Sequence, residues 1–308
     1  MNPYSDTDQA ISSRHNYKYR YYLVGFLDIL GQKDKLRGIK GLPENDQEYQ
    51  SFVKLDQETR GTVIRFRNSF FKFFKGMYKP RPIPQNLTDE EIEKYRKIKE
   101  SAENLKPTIV TFSDSIIIYV PLSDDNKMIQ VEGILSSVLA IAGSFLTLMN
   151  SGTIFRGGLE IGLACEIGSK EIYGPALLKA HDLESKIAKY PRVVIGDELV
   201  CFLQKTARNL EKEVQSEINQ KMAQKSLDLF MIDADGRYAL DYLGKEYRDM
   251  AKANKVFPDM YEKASSFLEH QFSEIKEKKD TNLFHRYLWL AYYFENRLVL
   301  WQESNQEE

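Results

Sequence analysis

Cysteine and histidine are scarce in this sequence. Its 308 residues include only Cys165 and Cys201, with four histidines at His15, His181, His270 and His285. Two lone thiols exclude a disulfide-built scaffold and a cysteine-rich zinc site, and the histidines lack metal-ligand spacing. A surplus of charge of one sign is also missing. With 43 Lys and Arg against 45 Asp and Glu, the formal net charge is −2, so no overall basic field draws the chain to nucleic acid. Met1 to Lys18 is polar and charged, without the apolar core of a signal peptide. Long apolar runs are few. The strongest, Val131–Met149, contains Glu132, Gly133, Ser136, Ser137, Gly143, Ser144 and Thr147, the composition of a buried helix rather than a membrane span. The expectation is a cytoplasmic protein that binds neither nucleic acid nor membrane.

What is present suits a globular enzyme-sized chain. A hydrophobic fraction of 42% allows a sizeable core, and the length fits about two domains or one large one. Tyr21–Asp28, YYLVGFLD, reads as a strand that ends at Gly31. From Asp46 to Lys75 apolar residues at Phe52, Leu55, Val63, Phe66, Phe70 and Phe73–Phe74 follow a helical period. Lys79–Pro84, KPRPIP, breaks that helix. Thr88 with Glu91 forms a capping-box signal for a second, polar helix through about Asn104. Pro107–Pro121 predicts two β runs folded about Ser113-Asp114-Ser115. A buried helix near 126–149, a strand at Ile154–Ala164, a helix over about Pro175–Lys189 and a strand at Arg192–Ile195 follow. Residues 227–232 and 237–243 flank Asp233-Ala234-Asp235-Gly236 as a hairpin. At the end, Leu283, Tyr287, Leu290, Phe294, Leu298 and Trp301 form a helical apolar stripe that seeks core or a second copy. The order implies an α/β (α+β) fold, a mixed sheet flanked by helices. It is not a doubly wound series, because the strands around Asp114 are adjacent and antiparallel.

Two carboxylates stand at the ends of apolar strands, Asp28 in FLDILG and Asp114 in FSDSI. Ionised oxygens fixed there suit a hard divalent cation, and two such ions can drive in-line attack on a phosphate. Taken singly, each aspartate reads better as a turn residue. A third segment adds weight. Phe155-Arg156-Gly157-Gly158-Leu159-Glu160-Ile161-Gly162 is a strand with glycines placed for close backbone approach. Then Gly174 opens a helix whose first amides can face phosphate.

The series FxDIxG, a hairpin aspartate, RxGxxxG and YGxAxxxAxxLE resembles the class III nucleotide cyclase catalytic domain. FLDILG, RGGLEIG and IYGPALLKAHDLESKIAKYPRVVI are most similar to the bacterial cyclases of Pycsar antiphage systems, which make cyclic CMP or cyclic UMP. The matching segments lie between about residues 20 and 200. The resemblance implies a cyclase-like domain over 17–245 with a helical insertion at about 45–104, and a C-terminal helical extension over 246–308. It implies conversion of a nucleoside triphosphate to a 3′,5′-cyclic monophosphate and pyrophosphate. Asp28 and Asp114 would hold two Mg²⁺ or Mn²⁺ ions, one also taking the Ile29 carbonyl. Glu171 falls on a base-reading position, and Val110 on the other, where adenylate cyclases carry lysine. Gly174, Arg156 and Lys179 are the further substrate-binding candidates. The resemblance also implies a head-to-tail homodimer and a separate effector that responds to the cyclic nucleotide.

The chain departs from the family in the Asp28–Asp114 separation, about twice that expected because of the helical insertion, and at two positions of the helix after Gly174. Where the family's helix has an asparagine four residues after the glycine and an arginine eight after it, Leu178 and Asp182 stand. Lys179, His181, Lys186 and Arg192 are nearby cations, each read as a solvated surface residue. Loss of the lysine at Val110 tilts the base toward a pyrimidine, UTP or CTP. A catalytically degenerate cyclase fold that binds nucleotide or a partner is the alternative, and a palm-like polymerase a third reading. Two other features read as structure. Arg65–Lys75 mixes basic and aromatic residues, which suits single-stranded nucleic acid or a membrane surface, but an amphipathic helix packing its aromatics is the simpler reading. Asp233–Gly236 begins like a calcium loop, yet Tyr242 stands where that loop needs glutamate.

Overall fold

The computed structural model describes residues 18–77, 88–123, 129–168, 170–209, 211, 214–253, 260–278 and 281–302. The polar stretch before Lys18 and the KPRPIP segment lie outside the described residues, as do the side chains of Leu283 and Leu298. The sheet has the order β2-β3-β1-β4-β6-β8-β7, with β5 paired to β4. Its strands are β1 (Arg20–Ile29), β2 (Thr108–Phe112), β3 (Ser115–Pro121), β4 (Phe155–Gly168), β5 (Glu171–Tyr173), β6 (Val193–Ile195), β7 (Phe230–Ile232) and β8 (Tyr238–Leu240). β1 is antiparallel to both β3 and β4, and β2 is antiparallel to β3. Among the described helices, α1 (Gln32–Arg37), α2 (Asp46–Glu58), α3 (Arg60–Met77) and α4 (Asp89–Asn104) separate β1 from β2. With α5 (Glu132–Asn150) between β3 and β4, the first four strands make a split βαββαβ unit. The parallel pair β4–β6 is joined through α6 (Pro175–Asp182) and a π-helical turn at Leu183–Ile187.

Strand alternation assigns the two faces. Leu23, Leu27 and Ile29 of β1, with Ile116, Ile118 and Val120 of β3, join the large core cluster built on α5. Tyr22, Val24 and Tyr119 point the other way, onto Ala176 and Ala180 of α6. Asp28 falls on this second face. α5 is buried along nearly its whole length: 89% of its most apolar 18-residue window lies inside the protein. It is the one described helix long and apolar enough to cross a bilayer, and its burial bears out the reading of a core helix.

The aromatic stripe of α3 is also core. Phe66, Phe70, Phe73 and Phe74 are buried, Phe66 meets Phe155 edge to face at 5.4 Å, and Ser69 donates to Ser144 of α5 at 3.0 Å. Burying each such ring stabilises by about 1.5–3 kcal/mol, and none of the four remains free to stack a base. The single helix expected over Asp46–Lys75 is two, broken at Thr59. Buried Gln32 donates to the Glu58 carbonyl at 2.9 Å, so a distant side chain helps satisfy the terminus.

Past β6 come α7 (Asp197–Ala207), α8 (Val214–Leu227), α9 (Lys245–Ala253), α10 (Met260–Lys278) and α11 (Thr281–Gln302). The strand expected at 227–232 is shorter, because Leu227 still belongs to α8 and β7 starts at Phe230. α10 and α11 place Leu268, Ile275, Tyr287, Leu290 and Phe294 in the same cluster as α5, so residues beyond 245 share the core of the sheet domain.

Candidate active site

The hairpin β2–β3 turns on two residues, Ser113 and Asp114, with Ser113 in the left-handed region at φ 58°. That tight reversal sets Asp114 beside the end of β1. Asp28 pairs in register with Ser115 of β3 and with Arg156 of β4, and the Ile29 amide donates to the Asp114 carbonyl at 3.0 Å. The structure thus brings Asp28, Ile29 and Asp114 together at one end of the sheet. Burial raises the Asp28 carboxyl above its ordinary value; Arg156 opposes the shift and the Asp114 charge adds to it. Among the described residues, no group of three or more His, Cys, Asp or Glu converges as a metal-ligand cluster.

Arg156 and Glu184 complete this corner. The Arg156 guanidinium lies 3.3 Å from Asp28 and 2.8 Å from Glu184, whose side chain is only 5% exposed. At 2.8 Å the Arg156 Nε and Glu184 Oε1 are an ion pair without hydrogen-bond alignment, and both atoms are otherwise unpartnered. Burial raises the Glu184 carboxyl, with Arg156 opposing and Asp28 adding. Arg156 is thus shared between two carboxylates, Asp28 and Glu184, with the Asp114 charge close enough to act on Asp28, and with Lys33 and His181 as the further positive groups that oppose the shifts. Glu184 reaches this position because β4 has no side chain at Gly158. A Cβ there would stand 2.4 Å from Leu183 Cβ and 2.5 Å from the Ala180 carbonyl. The sequence pattern contained Glu184 as the last letter of YGxAxxxAxxLE, but nothing local revealed its ion pair with Arg156.

The other candidates lie apart. Glu171 is exposed on β5, opposite Gly168. Arg156 and Gly168 are twelve residues apart on β4, roughly 40 Å of strand at 3.3–3.4 Å per residue. Gly174 sits at the same far end with φ 146°, and a Cβ there would meet Ala164 Cα at 2.7 Å. Its glycine is thus required by close packing on β4. Lys179 is held by Glu198 at 2.5 Å, Leu178 is 63% exposed, and Asp182 pairs with Lys186 at 2.9 Å. Val110 is half-buried on the face of Tyr22 and Val24. Arg192 corrects the expectation of a surface cation. It is 5% exposed, clamped by Asp233 at 2.7 Å and Asp235 at 2.6 Å from the hairpin turn.

Two apolar side chains near these candidates are exposed: Phe112 is 77% exposed, next to Asp114, and Tyr173 is 61% exposed, beside Gly174. No protein-family model matches this chain, and no curated protein matches it.

Proposed function

We propose that the chain is a nucleotide cyclase of the class III type, with Asp28 and Asp114 as the metal-holding pair. The observation that carries this reading is the Ile29–Asp114 backbone hydrogen bond, which ties two sequence-distant aspartates to one sheet end. The donor set fits the group: two carboxylates and the Ile29 carbonyl are hard oxygen donors. Mg²⁺ in particular is commonly held by one or two carboxylates plus substrate phosphates, not by an all-protein cage. When bound, Mg²⁺ or Mn²⁺ supplies Lewis acidity at the α-phosphate and lowers the pKa of the ribose 3′-hydroxyl. The chain's own residues do the rest. Asp28 and Asp114, with the Ile29 carbonyl, would hold the ions that offset the triphosphate charge at the sheet end, and Arg156 holds Asp28 in place through its second contact to Glu184. The ribose 3′-hydroxyl loses its proton to solvent as its oxygen bonds to the α-phosphorus, while the α–β bridging bond breaks and pyrophosphate leaves.

Base recognition belongs to Glu171 and the region of Gly174 on a second copy of the chain, since one chain holds them far from Asp28. The reading includes a head-to-tail homodimer, a pyrimidine triphosphate as substrate, and a cytoplasmic second messenger read by a separate effector in antiphage defence. A second reading rests on Leu178 and Asp182, which offer no transition-state amide or cation: a degenerate cyclase fold that binds nucleotide without turnover. Incubating the pure protein with each of the four triphosphates and Mn²⁺, with products identified by mass, separates the two. A cyclic monophosphate from wild type, absent with Asp28→Asn or Asp114→Asn that remain folded by circular dichroism, is the expected result. Linear oligonucleotide product, or full turnover by either variant, refutes the cyclase assignment.

A further inference from the structure

In phosphoryl transfer negative charge builds on the leaving pyrophosphate, and a cation placed there lowers the barrier. The helix after Gly174 offers none at the expected positions, where Leu178 is apolar and Asp182 is an acid paired with Lys186 at 2.9 Å. The other nearby cations are committed. Lys179 is bridged to Glu198 at 2.5 Å, Arg192 is clamped by Asp233 and Asp235, and Arg156 is divided between Asp28 and Glu184. His181 is charged only when protonated, and its ring lies edge-on to Phe26 at 4.9 Å.

Lys33 is placed differently. β1 ends at Ile29, and Gly31 turns the chain in the left-handed region at φ 79°, so α1 begins just beyond the carboxylate corner. Buried Gln32 anchors that turn through the Glu58 carbonyl, and Lys35 is drawn to the Glu58 carboxylate at 3.1 Å. Between them Lys33 is exposed. Among the described residues no carboxylate lies within ion-pair distance of its amine, yet its charge reaches Asp28 and opposes the effect of burial there. An ammonium on a flexible four-carbon stem can follow a departing group, which a guanidinium locked between two acids cannot. We propose that Lys33 contacts the β- and γ-phosphate oxygens of the triphosphate and stays on the pyrophosphate as it leaves. The inference rests on the cyclase reading and adds to it a phosphate-binding residue outside the carboxylate pair.

Isothermal titration of the full chain in Mg²⁺ with the α,β-methylene analogues of UTP, CTP, ATP and GTP, each beside its 5′-monophosphate, reads the contact without turnover. Lys33→Gln is expected to weaken the tightest-binding analogue at least about tenfold and to leave its monophosphate within about threefold. Lys33→Arg, which keeps the charge, should recover most of the loss. Lys35→Gln, the same charge removed two residues away, should change neither affinity. Wild-type affinity in Lys33→Gln, an equal loss for the monophosphate, or no saturable binding by any analogue overturns the proposal. Cyclic product from wild type beside an indifferent Lys33→Gln leaves the cyclase reading standing without this contact. Lys33-dependent binding by a chain that forms no cyclic product overturns that reading and upholds the contact.

Discussion

Removing the Arg156 side chain while keeping its bulk, as in Arg156→Met, strands the buried carboxylate of Glu184. At 2.8 Å and an effective dielectric of about 20, that ion pair has about 6 kcal/mol of gross attraction. Desolvation offsets most of it, but loss of one partner from a buried pair still costs about 3–5 kcal/mol. Glu184→Gln leaves Arg156 with Asp28 at 3.3 Å, so it should cost less, about 1–3 kcal/mol. The double variant has neither charge and should cost less than the two singles together, with a coupling of about 2–3 kcal/mol. The deficit of Arg156→Met also depends on pH. Burial already holds the Glu184 carboxyl above its ordinary 4.5, and Arg156 is the main group that opposes this; His181 opposes it too, while Asp28 adds. Without Arg156 the folded-state value rises further. A carboxyl raised in the folded state costs nothing while protonated, below about 4.5, and destabilises increasingly as pH climbs through its folded value. Urea unfolding followed by circular dichroism should therefore show a smaller Arg156→Met deficit at pH 5 than at pH 7.5. Equal deficits at both pH values, together with additive single variants, refute the buried ion pair.

Two further outcomes follow from the geometry. Gly158→Ala forces a Cβ to within 2.4 Å of Leu183 Cβ, so thermal denaturation should register a loss of about 1–3 kcal/mol; an unchanged Tm refutes the close approach of α6 to β4. If Asp28 and Glu171 act from opposite copies, mixing refolded Asp28→Asn and Glu171→Ala chains in equal amounts should restore about a quarter of wild-type turnover, since half the dimers are mixed and each keeps one intact site. Turnover no higher than that of either variant alone refutes sharing between copies.

The sequence was most readable where one physical signal dominated. β1 and the β2–β3 hairpin follow from alternating apolar residues around a two-residue turn, and the Thr88–Glu91 capping box holds with reciprocal hydrogen bonds at 2.8 and 3.3 Å. The break at Thr59 was hidden, because Gln32, twenty-six residues before Glu58, helps stabilise it through the Glu58 carbonyl. α7 and α8 were not foreseen. The apolar contacts of α8 are few, with Met222 and Ala223 its buried hydrophobics, too sparse for a clear period. In the candidate site, the strand ends and the hairpin placed Asp28 and Asp114 singly, and it was the resemblance to the cyclase pattern that implied their pairing. The fates of Lys179 and Arg192 followed from neither, since both depend on acidic partners nineteen to forty-three residues later.

The π-helical turn gives these separate observations a common frame. Its Leu183 carbonyl accepts from the Ala188 amide at 2.8 Å, one residue beyond the α-helical reach. The insertion falls just after α6 has placed Ala176 and Ala180 against the sheet. Glu184 therefore stays on the sheet-facing side, against Arg156, while the chain beyond it is re-phased toward β6. At the far end of that segment Arg192 donates to the Ile187 carbonyl and is locked to Asp233 and Asp235. One short segment thus holds an acid against the carboxylate corner and a guanidinium against the β7–β8 hairpin. A regular α-helix over the same residues would shift everything after Glu184 by about 100°. It would turn Ile187, whose carbonyl receives Arg192, away from the hairpin. The rare helical form goes with two buried charges to deliver to different partners, Glu184 to Arg156 on β4 and Arg192 to the turn between β7 and β8.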